Sequence, residues 1–86
     1  MGVTEAFDLL IARLSDSSET GWAAWSPGEV AATLIALRDK QMLSEADKRD
    51  LRALLAPTGP VQEIAIASNW HDDYMKCAAA LDRYAL

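Results

Sequence analysis

The apolar residues of the chain recur mostly at intervals of three and four, which is the spacing of one face of an α-helix. The first such run comprises Phe7, Leu10, Ile11 and Leu14. Thr4 precedes this run as a candidate cap, and the polar stretch 16–21 follows it with side chains that compete for backbone hydrogen bonds. The pattern predicts a first amphipathic helix of about three turns.

A second helix is predicted from residue 27 to about Lys40, and its start has the clearest signal in the chain. Ser26 and Glu29 have the spacing of a capping box, with Pro27 at the first helical position between them. Trp25 and Val30 have the spacing of a hydrophobic staple. The expected inward face comprises Val30, Ala31, Leu34, Ile35 and Leu37.

A third helix is expected to open at Ser44 and to end before Pro57, because a proline disfavours helical geometry at the preceding residue. Its expected core residues are Leu51, Leu54 and Leu55. The next segment, 61–67, alternates in side-chain size like a strand but also fits a helix face. A lone strand would leave its backbone groups without partners, so a short helix is the better prediction.

The last helix is predicted to begin after Asn69 as its cap, with Asp72 in its first turn. Its expected inward stripe comprises Trp70, Tyr74, Cys77, Ala78, Leu81 and Ala85. The chain is rich in Ala and Leu and poor in β-branched and aromatic residues, which also favours helices. The sequence therefore predicts a single all-α domain, 1–86, a small irregular bundle of four main helices with an extra short helix before the last.

The compartment is inferred from the single cysteine and from the first residues of the chain. One cysteine cannot close an intramolecular disulfide, which favours a reducing, cytoplasmic location. The first residues contain no basic region and no long apolar stretch, so we expect neither a signal peptide nor a membrane span.

The densest group of reactive side chains is the segment 69–75, which contains the only histidine next to two acids. Neighbouring helical residues point about 100 degrees apart, so His71 is not aligned with Asp72 or Asp73 as a catalytic dyad. His71 and Cys77 also lie on different helical faces, which argues against a zinc site. No glycine-rich phosphate loop is present. We therefore expect a protein without catalytic residues, metal or cofactor, in which His71 and Asp73 have no evident structural role.

Nucleic-acid binding through the second and third helices is an alternative, because their short connection is compatible with a helix-turn-helix. The third helix carries three bases, Lys48, Arg49 and Arg52. Acids such as Asp47 and Asp50 are interleaved with these bases and would repel phosphates, so the sequence argues against nucleic acid as the partner.

The chain has a formal charge of −5, which favours partners with a basic surface. In size and charge, though in no motif, the chain resembles small nuclease-immunity proteins. We expect a small acidic binding protein that inhibits a larger basic protein, as bacterial immunity proteins or phage inhibitors of nucleic-acid enzymes do. An oligomeric adaptor bundle, including a homodimer, remains open. The predicted contact residues are Asp16, Glu19, Trp22, His71, Asp72 and Asp73.

Overall fold

A computed structural model describes residues 2–17, 26–40, 42–56 and 59–85. These ranges contain five helices and no strand: α1 (Val3–Ser15), α2 (Pro27–Arg38), α3 (Glu45–Leu55), α4 (Pro60–Ala67) and α5 (His71–Ala85). The prediction of an all-α bundle is confirmed, and the ambiguous segment 61–67 is the short helix α4. None of the described helices is both long enough and apolar enough to cross a membrane.

The bundle is organised around α1 and α5. Helix α1 packs along both α2 and α5, and α5 also contacts α3 and α4. The side chains with the least exposure come from all five helices and form one core. Its largest fully buried members are Leu10, Leu14, Leu34, Leu51, Ile64 and Leu81.

Two helix starts follow the sequence signals closely. The Oγ of Ser26 accepts a hydrogen bond from the backbone N–H of Glu29 at 3.2 Å, with Pro27 in the first turn of α2. At α3 both halves of a capping box are present: Ser44 Oγ accepts from the N–H of Asp47, and the Asp47 carboxylate accepts from the N–H of Ser44. The predicted staple residue Trp25 lies outside the described residues.

Two predicted positions in α1 and α2 are wrong. Thr4 is not the cap of α1, because the helix already begins at Val3 and the carbonyl of Gly2 accepts the first hydrogen bond, from Ala6. Ile35 is 37% exposed and does not belong to the core face of α2. It lies about 140 degrees around the helix from Val30, beyond the arc that faces the other helices.

Asn69 ends α4 and does not cap α5. Its backbone φ is 65°, in the left-handed region that asparagine tolerates better than most residues. The N–H of Asn69 donates to the carbonyl of Ile66, and the N–H of Trp70 donates to that of Ala65. This pair of bonds is the Schellman motif, with Asn69 in the position that glycine usually occupies. The Trp70 carbonyl then accepts from Tyr74, so α5 starts immediately after the end of α4.

Candidate partner-binding site

The end of α1 is fastened to the start of α5 by two side-chain contacts. The Nε of Arg13 donates to Oδ2 of Asp73 at 2.9 Å, and the indole Nε1 of Trp70 donates to Oγ of Ser17, also at 2.9 Å. The Ser17 hydroxyl donates in turn to the carbonyl of Arg13 at 2.8 Å. The two helix ends are therefore held together by a connected set of hydrogen bonds.

A cleft of about 350 Å³ opens at this junction. It is lined by Arg13, Asn69, Trp70, His71, Asp72 and Asp73. The Arg13 guanidinium neutralises Asp73, whereas Asp72 is exposed and forms no ion pair with any described residue. Asp16 is also exposed, one residue before Ser17 at the end of α1. At this junction Asp16 and Asp72 are therefore exposed to solvent, while Asp73 forms an ion pair with Arg13.

His71 is half-buried and is held from two sides. Its Nε2 lies 3.3 Å from the side-chain nitrogen of Gln62 on α4, and its ring centroid is 5.6 Å from that of Tyr74. The expectation that His71 and Asp73 lack a structural role is wrong. Both side chains connect the start of α5 to other helices, Asp73 to α1 and His71 to α4.

Four of the six predicted contact residues lie in the described part of the chain: Asp16, His71, Asp72 and Asp73. The contacts between Arg13 and Asp73 and between Ser17 and Trp70 bring the end of α1, where Asp16 lies, to the start of α5, where the other three lie. Glu19 and Trp22 lie outside the described residues. Arg13 and Ser17 were missed because their partners are 60 and 53 residues away, and no local pattern connects such positions.

Two further polar side chains of α5 point into the core. Burial, and to a smaller extent the charge of Asp73, raises the pKa of the Cys77 thiol to about 11, so the thiol is protonated and weakly nucleophilic at neutral pH. The Tyr74 hydroxyl donates to the carbonyl of Leu55 at 2.6 Å, and burial raises the pKa of this phenol. The hydrogen bond provides a partner for a carbonyl in the last turn of α3.

The bases of the alternative nucleic-acid surface mostly face acids. Lys40 Nζ lies 2.6 Å from Oδ1 of Asp47, and Lys48 Nζ lies 3.8 Å from a carboxylate oxygen of Glu45. Arg38 contacts both Asp8 and Asp39, at 3.0 and 3.2 Å. A phosphate backbone would have to compete with these carboxylates for the same cations.

The charged side chains that line the cleft are Arg13, Asp72 and Asp73, whose charges sum to −1, so the cleft favours a cation over an anion although the Arg13 side chain is itself 48% exposed. No group of three or more metal-binding side chains is found among the described residues. Comparisons with protein-family models, with curated proteins and with solved structures find no match to this chain.

Proposed function

We propose that this chain is a small acidic binding protein that inhibits or neutralises a larger protein with a basic surface, without catalytic activity of its own. The observation that carries the proposal is the junction of α1 and α5, where the exposed Asp72 lines a cleft of about 350 Å³ and Asp16 is exposed at the end of α1. The formal charge of −5 acts in the same direction, since it attracts basic partners from a distance.

The cleft would receive a lysine or arginine side chain of the partner. Asp72 is available to such a cation because no described base pairs with it, and the half-buried His71, which also lines the cleft, can pack against the aliphatic part of the side chain. Asp73 contributes indirectly. Its bond with Arg13 fixes the two sides of the cleft relative to each other, so the binding geometry exists before the partner arrives.

Association kinetics test this proposal once a partner has been captured from the source cells with the intact chain. The double variant Asp16→Asn, Asp72→Asn removes the exposed carboxylates and leaves the pair of Arg13 and Asp73 in place. We expect association to slow roughly tenfold at low salt and to approach the wild-type rate at high salt, because long-range attraction is screened there. Inhibition of the partner should weaken in parallel.

A matched control is Glu29→Gln, Asp50→Asn, which removes the same charge from exposed positions on α2 and α3. This control should retain most of the association rate. The proposal would be contradicted by a control that slows association as much as the site variant, or by a captured partner whose contact surface is acidic.

A helix-turn-helix regulator is less well supported, because Lys40 and Lys48 already face Asp47 and Glu45. It predicts retention of a DNA duplex at low ionic strength, weakened by Arg49→Gln. A gel shift without retention would exclude it.

A further inference from the structure

The side chain of His71, the only histidine of the chain, lines the cleft between α1 and α5. Imidazole ordinarily changes its charge between about pH 5 and about pH 8, whereas carboxylates and lysine ammonium groups keep theirs over that range. The charges of the other cleft residues, Arg13, Asp72 and Asp73, sum to −1. Protonation of His71 would therefore bring the charge of the cleft to zero.

The contact of His71 with α4 fits the neutral form of the ring. The side-chain nitrogen of Gln62 can only donate a hydrogen bond, so the ring Nε2 at 3.3 Å has to accept it, with the ring proton on Nδ1. A protonated ring carries a hydrogen on both nitrogens, and its Nε2 then faces another donor. Protonation therefore breaks this bond or requires the Gln62 amide to turn over.

The surroundings of the ring contain one carboxylate without an ionic partner. Among the described residues, the charged and titratable side chains that share the cleft or contact the ring are Arg13 from α1 and Asp72, Asp73 and Tyr74 from α5. Arg13 and Asp73 are paired with each other, which leaves Asp72 for an incoming cation. Burial raises the pKa of the Tyr74 phenol above its ordinary value of 10, so it stays neutral.

Helix α4 adds no charge at the ring. Its contact residue Gln62 is neutral, and Glu63 next to it projects about 100 degrees away around the helix. His71 is therefore the group of the cleft whose charge changes between about pH 5.5 and about pH 8.

We propose that protonation of His71 weakens the binding of a cationic side chain in this cleft, so that a basic partner binds more tightly at neutral than at mildly acidic pH. The inference rests on the proposed function, because it concerns the same cleft and the same kind of partner. A neutral imidazole packs against the aliphatic part of the bound side chain, whereas an imidazolium repels its charged end. An anionic ligand would show the opposite dependence on pH.

The probe for this proposal is a capped tetralysine peptide, because its side chains keep their charge throughout the range. Chemical-shift titration by NMR at low salt measures the affinity of the full chain for the peptide and identifies the residues that it contacts. We expect binding about threefold to fivefold weaker at about pH 5.5 than at about pH 8, since the change is one charge at a partly exposed site.

Two substitutions at position 71 isolate the effect of the histidine. His71→Gln is neutral at both pH values and should remove the pH dependence, while its amide can still bond to Gln62. His71→Lys is charged at both pH values and should bind weakly at both. A pH dependence that arises elsewhere in the chain would persist in both variants. Asp72→Asn tests the cleft itself and should weaken binding at both pH values.

The outcomes separate this inference from the proposed function. A peptide that does not bind, or that binds the Asp72→Asn variant as tightly as the wild type, would overturn both. If Asp72→Asn weakens binding but His71→Gln keeps the pH dependence of the wild type, only the inference about His71 is overturned. The affinity should also change over the pH range in which the His71 ring titrates in the free chain. A change outside that range would contradict the proposal as well.

Discussion

The indole Nε1 of Trp70 donates a hydrogen bond of 2.9 Å to Oγ of Ser17, 53 residues earlier in the chain. Trp70 is only 7% exposed, and this bond replaces the hydrogen bond to water that the indole N–H loses on burial. The bond also holds the residue that follows the C-cap of α1 against the start of α5. The shape of the candidate site thus depends on a serine whose neighbours in sequence give no sign of that role.

Ser17→Ala should therefore lower the free energy of unfolding by about 1 to 2 kcal/mol, because the indole N–H would be left without its partner in a mostly buried position. Urea unfolding followed by tryptophan fluorescence measures the change. Ser15→Ala is a close control: the Ser15 hydroxyl donates to the carbonyl four residues back at 2.8 Å, as the Ser17 hydroxyl does, but is exposed. Equal effects of the two substitutions would show that the contact with Trp70 contributes nothing.

Gly59 is required by close approach of backbone atoms. A Cβ at this position would lie 2.8 Å from the carbonyl oxygen of Ala56 and 3.0 Å from that of Ala53. Gly59→Ala should cost about 1 to 3 kcal/mol of unfolding free energy, because backbone at the end of α3 would have to shift. Gly28→Ala is the opposite case, since nothing lies within 4 Å of its added Cβ, and it should stabilise by up to about 0.5 kcal/mol.

Thermal unfolding of the two variants measures the loss of stability expected for Gly59→Ala and the gain expected for Gly28→Ala. Gly59→Ser separates the steric effect from helix capping, because Gly59 is also the N-cap of α4 and serine caps helices well. If the steric contact dominates, Gly59→Ser is destabilised like Gly59→Ala. A serine variant as stable as the wild type would exclude the steric explanation.

The helices could be predicted from the sequence because their signals are local. The caps at Ser26 and Ser44 and the spacing of leucines in α3 all act within about one turn, where sequence and structure are directly linked. Asn69 shows the limit of such reasoning. Asparagine is favoured both as an N-cap and at the left-handed position after a helix, and the sequence does not distinguish the two roles, whereas the φ of 65° in the structure does.

The candidate site was only partly predictable, for a different reason. The exposed acids and His71 could be identified from the sequence because they lie outside the apolar faces of the predicted helices. The contacts of Arg13 with Asp73 and of Gln62 with His71 connect different helices, and their existence depends on how those helices cross. Periodicity predicts which face of a helix is buried, but not which polar residues meet at its edge.

Cys77 should be almost unreactive in the folded protein. Its pKa of about 11 leaves about one thiol in ten thousand ionised at pH 7, and its side chain is fully buried. Labelling by a thiol reagent should therefore depend on unfolding of the chain and accelerate steeply across the urea transition. An exposed thiol introduced on α2 by Ala32→Cys provides the positive control, and rapid labelling of the wild type in native buffer would contradict the buried position.

Asp47 should make the protein sensitive to acid. Hydrogen bonds from Lys40 and from the N–H of Ser44 hold the pKa of this carboxyl below its ordinary value of 3.8. The unfolded chain therefore takes up the proton first as the pH falls. The ionised form contributes stability that is fully present above about pH 3.8 and is lost as the pH falls through the lower folded-state value.

Asp47→Asn should accordingly be less stable than the wild type at neutral pH and should lose less stability on acidification, so that the two curves converge at low pH. Urea unfolding at a series of pH values measures both effects. Asp50→Asn is the matched control, because Asp50 lies on the same helix, is exposed and forms no ion pair with the described residues. Curves for Asp47→Asn and the wild type that stay parallel down to the acid transition would show that the bond with Lys40 does not couple protonation to folding.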